Sequence, residues 1–191
     1  MVHGGPTSRT EASFSPATQF WTTRGFAVLH VNYSGSTGFG RMYRDRLLTR
    51  WGLLDIDDCV TGALSLALAG RVDPTRLAIR GGSAGGYAVL RAMTTSRAFA
   101  AGTSLYGVGD LAALASDTHK FESRYLDRLV GPWPEARALY RARSPIHHLD
   151  GLKCPLILLQ GAQDEVVPPE QSRRMHAALK AKGVPVAYLE F

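Results

Sequence analysis

A single serine between closely spaced glycines is the strongest candidate for chemistry in this sequence. The segment Gly81-x-Ser83-x-Gly85 follows a short apolar run and precedes a helix-favouring run, Tyr87–Met93. This order predicts a strand, a tight turn and a helix. It is the pattern of a nucleophile elbow, in which a serine on a strained turn exposes its hydroxyl oxygen. Side chains at 81 and 85 would collide across so sharp a turn, which explains the glycines.

Two other interpretations of this segment remain open. It could be a glycine-rich turn before a helix, or a phosphate cradle at a helix N-terminus. No lysine follows the glycines as a phosphate-binding loop requires, and the glycines do not form the spaced triplet of a dinucleotide-binding fingerprint. The elbow is therefore the interpretation that the pattern favours.

A carboxylate late in the chain fits the second role in such chemistry. Asp164 follows the clearest buried strand of the sequence, Cys154–Gln160. Open α/β sheets place functional groups just past the carboxyl ends of their strands, and elbow enzymes order their triad as serine, acid and histidine. Asp164 is therefore the predicted triad acid. The alternative is a loop carboxylate that caps the helix expected between Pro169 and Gly183.

The base and part of the oxyanion site are not where this scheme requires them. His176 follows Asp164, but it falls near the middle of a predicted helix, away from the strand ends. The loop after the last expected strand, Val186–Phe191, would begin beyond the chain. The HGGP segment at 3–6 is suited to turning backbone N–H groups toward an oxyanion, or is an ordinary turn. Its delivering strand would precede Met1, so we expect a domain truncated at both ends.

Alternating helices and strands must position these residues. Strands are predicted at 26–33, 77–79, 98–105, 154–160 and 186–191, and helices at 14–23, 55–69, 87–93 and 169–183. The alternation predicts an α/β fold with a mostly parallel sheet flanked by helices. The stretch from about 110 to 145 lacks strand patterns, which indicates a helical insertion. His30 lies inside a predicted strand, where a core histidine is favoured over a catalytic one.

Several acidic and glycine-rich groups have alternative interpretations. Three aspartates, Asp55, Asp57 and Asp58, lie in the first turn of the predicted helix 55–69. They could hold a metal, but carboxylates are also favoured there by the helix dipole, and we favour that interpretation. The glycine-rich loop 34–40 could bind phosphate, but no helix N-terminus plainly receives its glycines, so a structured surface loop is expected.

The histidines and cysteines give weak metal patterns. His119 and the pair His147-His148 lack further spaced ligands. Cys59 and Cys154 show no CxxC spacing and lie in apolar contexts, so buried thiols are expected. We therefore expect no metal and no cofactor.

Composition indicates one soluble globular domain, with 45% hydrophobic and 20% charged residues. The net charge is +6, and 18 of the 22 basic residues are arginine. These arginines are scattered and do not form one aromatic-interleaved stripe, so nucleic acid is not an expected partner. The sequence shows no signal peptide and no run of about 18 apolar residues. We therefore expect a cytoplasmic protein that does not associate with membranes.

Several segments together resemble the prolyl oligopeptidase family of serine peptidases, especially its acylaminoacyl-peptidase and dipeptidyl-peptidase-like branch. The matching segments are HGGPTS at 3–8, NYSGSTGFGR at 32–41, RGGSAGGY at 80–87, THKFESRYLDRLVGP at 118–132, RSPI at 143–146 and QGAQDEVVPPEQ at 160–171. They occur in the family's order and cover most of the chain.

The resemblance implies an α/β-hydrolase fold and a set of roles. Ser83 is the implied nucleophile and Asp164 the implied acid, and the backbone N–H groups of Gly5 and Ala84 form the implied oxyanion hole. The implied histidine follows the strand matched by VAYLEF at 186–191 and is absent here. An N-terminal β-propeller is also implied. Some relatives hold the substrate with an Arg or Asn two residues after the acid, where this chain has Val166.

The function predicted from these residues is hydrolysis of short peptides through an acyl-enzyme, with the base supplied outside this chain. The chain alone is expected to be almost inactive. A carboxylesterase shares every catalytic feature above and stays an alternative. A non-catalytic interaction module on a hydrolase scaffold is the alternative from a different class.

Overall fold

Four parallel strands, paired in the order in which they occur in the chain, form the sheet of this protein. The register aligns Gly82 with Leu105, Leu105 with Leu159 and Gln160 with Glu190, so all four strands end along one edge. Parallel neighbours require a crossover between them, and helices supply each crossover. The mostly parallel sheet with flanking helices that the sequence predicts is confirmed.

The computed structural model describes residues 1–117 and 125–191. The strands are β1 (Ala78–Gly82), β2 (Ala101–Leu105), β3 (Leu156–Gln160) and β4 (Val186–Glu190). The helices are α1 (Pro16–Thr22), α2 (Arg41–Asp45), α3 (Leu54–Leu68), α4 (Ala84–Thr95), α5 (Leu111–Asp117), α6 (Tyr125–Leu129), α7 (Arg137–Arg143) and α8 (Pro169–Ala181). Short 3₁₀ turns cover Pro74–Arg76, Pro145–His147 and Leu149–Gly151.

Helix α4 is the central helix of the core. Every residue from Ala84 to Thr94 is buried, which fits a helix that packs against the sheet on one side and other helices around it. Gly86 lies so close to β2 that a Cβ there would meet Leu105 O at 2.8 Å. Small residues at the start of α4 therefore let the helix approach the strand ends closely.

The segment 26–33 differs from the buried strand that the sequence predicts. Its one pairing is a parallel bridge from Val31 to Val2, which also bridges to Gly81 of β1. Phe26 is 52% exposed. An apolar run becomes a strand only when neighbouring backbone is available along its length, and here Val2 supplies a single bridge. The prediction of a buried strand at 26–33 was therefore wrong for this chain.

Helix α3 matches the predicted helix 55–69, and it buries Ile56 and Cys59 as an apolar face requires. Leu64, placed on that face by the sequence pattern, is 43% exposed. Between β2 and β3 the described residues contain α5, α6 and α7 and no strand, and residues 118–124 of the predicted insertion at 110–145 lie outside the description. None of the described helices is long and apolar enough to cross a membrane.

Candidate active site

Ser83 occupies the turn between β1 and α4, with backbone angles φ 55° and ψ −122°. A positive φ is uncommon for a residue with a side chain and indicates a backbone held by its surroundings. The Ser83 N–H donates to Leu105 O at 3.0 Å, and its carbonyl accepts from the Tyr87 N–H at 2.9 Å. Serine at this helix position usually caps the helix with its hydroxyl. Here no hydrogen bond within the described residues uses Ser83 Oγ, so the oxygen stays free.

Two glycines make this turn sterically possible. A Cβ on Gly81 would lie 2.5 Å from Gly85 O, and a Cβ on Gly85 would lie 2.3 Å from Val2 O. Real Cβ atoms do not approach backbone oxygens so closely, so neither position tolerates a side chain without movement of the backbone. The expected steric reason for the glycines is therefore present in the structure. It involves the N-terminal segment as well as the turn itself.

The N-terminal HGG loop lies directly beside the serine. Val2 pairs with β1 through its N–H, which donates to Arg80 O at 2.8 Å. A Cβ on Gly4 would lie 3.5 Å from Ser83 Cβ. Ala84 is the first residue of α4, where a backbone N–H has no acceptor inside the helix. The loop of Gly5 and the start of α4 are thus both beside the Ser83 turn, as an oxyanion site requires.

The side chain of His3 fixes the shape of this loop. Its Nδ1 donates to Gly4 O at 2.7 Å, and its Nε2 lies 2.8 Å from Ser36 Oγ. Burial lowers the pKa of His3, which favours the neutral ring. The ring stacks on Tyr33, whose hydroxyl donates to the His3 carbonyl at 3.0 Å. His3 is therefore fully engaged in holding the loop and is not placed to act as a base.

Tyr125 holds the other end of the same loop from a distant part of the chain. Its hydroxyl lies 2.8 Å from Thr7 Oγ1 and donates to Gly5 O at 3.4 Å. These contacts restrain the peptide unit after Gly5. Tyr125 begins α6, more than one hundred residues later in the chain, and no local pattern in the sequence connects it to the loop.

Asp164 lies in the loop that follows β3, at the same sheet edge as Ser83. Its Oδ1 accepts from the N–H groups of Val166 at 3.0 Å and Val167 at 2.9 Å. Within the described residues its second oxygen, Oδ2, accepts no hydrogen bond. One oxygen thus anchors the carboxylate to its own loop, and the other is free to accept from an imidazole. This arrangement suits a triad acid, and β2 alone separates the two strands that carry Ser83 and Asp164.

The structure does not bring a histidine to these two residues. Of the six histidines, His119 lies outside the described residues, and no hydrogen bond joins any other to Ser83 or Asp164. His176 stacks on Tyr188 of β4, with ring centroids 5.4 Å apart. His30 Nε2 lies 3.0 Å from Thr18 Oγ1, which agrees with a structural role.

Two of the three aspartates considered from the sequence hold backbone groups of neighbouring loops. Asp55 is 1% exposed and accepts from the Gly52 N–H at 2.7 Å. Asp58 Oδ2 accepts from the Ser34 N–H at 2.6 Å, so the glycine-rich loop 34–40 is tied to α3. No group of three potential metal ligands occurs in the part of the chain that is described.

Tyr106 is a residue at the site that the sequence did not single out. It follows β2, between the strands of Ser83 and Asp164, and has φ 39°. A Cβ on Gly82 would lie 2.8 Å from its hydroxyl oxygen, and its side chain is 41% exposed. Its place just past a predicted strand end was the available signal, but that signal does not identify a tyrosine as functional.

Comparison with known proteins agrees with this geometry. A dipeptidyl peptidase family member 6 from Caenorhabditis elegans is 37% identical over 99% of this chain and 26% of its own length. Dipeptidyl aminopeptidase BIII from Pseudoxanthomonas mexicana is 34% identical over all of this chain and 29% of its own length. The chain therefore spans between a quarter and a third of the length of these relatives.

A solved structure has nearly the same fold. A puromycin-hydrolyzing peptidase of Mycobacterium tuberculosis superposes with a TM-score of 0.97 and 49% sequence identity over 99% of this chain and 29% of that chain. The model of the prolyl oligopeptidase family matches residues 12–191, a range that contains both Ser83 and Asp164. The α/β-hydrolase fold implied by the resemblance is thereby confirmed, and the chain belongs to the prolyl oligopeptidase family of serine peptidases.

Proposed function

We propose that this chain is the catalytic part of a serine oligopeptidase that hydrolyses short peptides through an acyl-enzyme. The observation that carries the proposal is the conformation of Ser83. Ser83 stands at the start of a helix with φ 55°, and its side chain does not cap that helix. Its hydroxyl makes no hydrogen bond to the described part of the chain, and the HGG loop packs beside it. The relatives named above, among them dipeptidyl peptidases, support a peptide as the substrate.

In the proposed reaction, Ser83 Oγ attacks the carbonyl carbon of the scissile peptide while a histidine accepts the Ser83 proton. The developing oxyanion faces the N–H groups of Gly5 and Ala84. The histidine then passes the proton to the leaving amine as the carbon–nitrogen bond breaks, which leaves an acyl-enzyme. Water hydrolyses that ester by the same proton transfers. Asp164 orients the imidazole through its free carboxylate oxygen.

The proposal places the histidine outside this chain, after β4. Triads on this fold follow the order serine, acid, histidine. The one histidine after Asp164 in this chain is His176 of α8, and its ring stacks on Tyr188 of β4. Strand β4 ends with Glu190 at the same edge of the sheet where Ser83 and Asp164 lie. A loop after β4 therefore starts where the base is needed.

The experiment that tests this function is labelling with a fluorophosphonate, which reports an activated serine. The full-length gene product is expected to be labelled, and its Ser83→Ala variant is not. The isolated 191-residue chain is expected to react orders of magnitude more slowly, because losing one triad member costs most of the rate. Rapid labelling of the isolated chain would contradict the assignment of the base.

Hydrolysis of an ester is the second candidate, since an esterase uses the same oxyanion site and elbow. Comparing aminoacyl amides with acyl esters as substrates of the full-length gene product separates the two. Absence of labelling in the full-length wild type, as in Ser83→Ala, would instead support a non-catalytic interaction module.

We also propose that an N-terminal β-propeller limits access to the site. About 70% of the length of the two relatives lies outside the region that matches this chain, which supports the presence of a further domain. Limited proteolysis of the full-length gene product, followed by a structure of the released domain, tests it. The cytoplasmic location expected from the sequence stays a prediction, which cell fractionation tests.

A further inference from the structure

The end of β3 contains a buried amide whose NH₂ group contacts both ends of the acid loop, residues 161–168. Gln160 is 1% exposed. Its Nε2 donates to Val167 O at 3.0 Å and to Gly161 O at 3.3 Å. Its Oε1 accepts from Ser172 Oγ of α8 at 2.7 Å. Both amide hydrogens and the amide oxygen are therefore used, with no water needed.

These contacts close the acid loop at its two ends. Gly161 O, at the start of the loop, also accepts from the Asp164 N–H at 3.3 Å. Val167, near its end, donates its N–H to Asp164 Oδ1 and presents its carbonyl to Gln160. The carboxylate and the amide thus both contact Val167, the carboxylate through the Val167 N–H and the amide through the Val167 carbonyl oxygen. Loss of the Gln160 amide removes one of the hydrogen bonds that hold the residue anchoring Asp164.

The orientation of the amide is determined by its partners. Two carbonyl oxygens face one end of the side chain and a hydroxyl faces the other, so the NH₂ group must lie toward Gly161 and Val167. A hydrocarbon side chain of similar length would fill the space but leave the Val167 carbonyl without the Gln160 donor and Gly161 O with the Asp164 N–H as its remaining donor. A buried carbonyl without its partner favours rearrangement of the loop.

We infer that Gln160, oriented by Ser172, is a positioning residue that sets the place of the Asp164 carboxylate. This inference rests on the proposed function, because it concerns the acid of that triad. Gln160 does not touch the reacting atoms. It acts through the loop, and its loss weakens the interaction between carboxylate and imidazole without removing either group.

A matched control exists in the same region. Gln171 of α8 is also buried, at 6% exposed, and also makes three hydrogen bonds. Its partners are the backbone groups of Gly109 and Asp110, which follow β2 and do not belong to the acid loop. Loss of stability in general is therefore separable from displacement of the acid.

The test uses the full-length gene product and hydrolysis of a dipeptide p-nitroanilide. Wild type and Ser83→Ala are compared first, and activity in the first together with loss in the second establishes the serine mechanism. Failure at this step refutes the proposed function and is distinct from the outcomes that follow. Gln160→Met and Gln171→Met are then compared for stability, kcat, KM and the pH dependence of kcat.

We expect Gln160→Met to lower kcat by about 10- to 100-fold, the cost of misplacing a catalytic group by about 1 Å, with KM little changed. A weaker carboxylate–imidazole interaction lowers the imidazole pKa, so the acidic limb of the profile moves to lower pH, by up to about one unit. Gln171→Met is expected to lose comparable stability and to keep the wild-type acidic limb. A folded Gln160→Met enzyme with the wild-type kcat and acidic limb would overturn the inference.

Ser172 provides a second variant should Gln160→Met fail to fold. Ser172→Ala removes the donor to Gln160 Oε1 and is expected to move kcat and the acidic limb in the same directions by a smaller amount. Ser172→Thr retains the hydroxyl and is expected to restore both. If Ser172→Ala keeps both wild-type values, the inference is wrong.

Discussion

The turn that carries Ser83 and the loop that carries Asp164 are held by different physical means. At the nucleophile turn, backbone packs against backbone: Gly81 and Gly85 lie against each other and against Val2 without room for a methyl group. In the acid loop, polar side chains satisfy backbone groups, as Asp164 does for the N–H groups of Val166 and Val167. One region is defined by excluded volume and the other by hydrogen bonds.

This difference determines how each region responds to substitution. Steric exclusion has no conservative replacement, because every residue other than glycine adds the same forbidden Cβ. A hydrogen bond is retained by any side chain with an acceptor in the same place. We therefore expect any substitution of the glycines in the Ser83 turn to destabilise the protein. In the acid loop, we expect the loss of stability to depend on how many hydrogen bonds the substitution removes. Three changes to the 191-residue chain test this contrast by urea denaturation.

The largest effect is expected for Gly85→Ala. Its Cβ would lie 2.3 Å from Val2 O and 2.9 Å from His3 O, so the N-terminal strand and the oxyanion loop must move. We expect a loss of about 3 kcal/mol in the free energy of unfolding. Gly62→Ala in α3 is the control, since its nearest contact would be Leu29 Cδ2 at 3.4 Å. It is expected to gain up to about 1 kcal/mol from helix propensity. Equal stability of the two variants would remove the steric argument.

The second expected effect is a pH dependence of stability that comes from a buried carboxyl group. Asp55 at the start of α3 is 1% exposed, and burial raises its pKa to about 7. The folded state then keeps a proton that the unfolded state releases near pH 4, so stability falls as pH rises toward 7 and levels off above it. Relative to Asp55→Asn, which retains an acceptor for the Gly52 N–H, the wild type is expected to lose about 2 kcal/mol between pH 5 and pH 8. Parallel stability curves for the two proteins would show that this carboxyl titrates normally.

The smallest effect is expected in the acid loop. Asp164→Ala removes the acceptor for two backbone N–H groups in a half-buried loop, at a cost of about 1 kcal/mol. Asp164→Asn keeps an oxygen in the Oδ1 position, and its stability is expected to stay within about 0.5 kcal/mol of the wild type. A loss of about 3 kcal/mol in Asp164→Asn, as large as that expected for Gly85→Ala, would mean that the two regions do not differ in kind.

The parts of the fold that the sequence predicts well depend on neighbours in the chain. The Ser83 turn has a cause within five residues, since a side chain at Gly81 would clash with the Gly85 backbone. Strand β3 is similarly local: its apolar run buries Leu156 and Leu158 on one face of the sheet, as the period of two in a strand requires. The elbow and this strand are accordingly where the sequence places them.

The parts that the sequence predicts poorly depend on partners far along the chain. Segment 26–33 has the composition of a strand, but its state depends on the backbone that lies beside it, and here Met1 and Val2 pair only with its second half. Tyr125 reaches Gly5 across 120 positions, and a tyrosine in a helix gives no sign of such a partner. The proposed role of Asp164 follows from its place after β3, but its anchoring by Val166 and Val167 depends on the folded shape of the loop, which no pattern in the sequence predicts.

The alignment of strand ends described above has an evolutionary consequence. The chain leaves the sheet after β2, forms α5, α6 and α7, and returns at β3 with Leu159 paired to Leu105. That pairing fixes the separation of the Ser83 turn and the Asp164 loop independently of what the excursion contains. Insertions and deletions between β2 and β3 can therefore accumulate while this separation persists. Members of this family can therefore differ in the segment between β2 and β3 while the sheet stays the same.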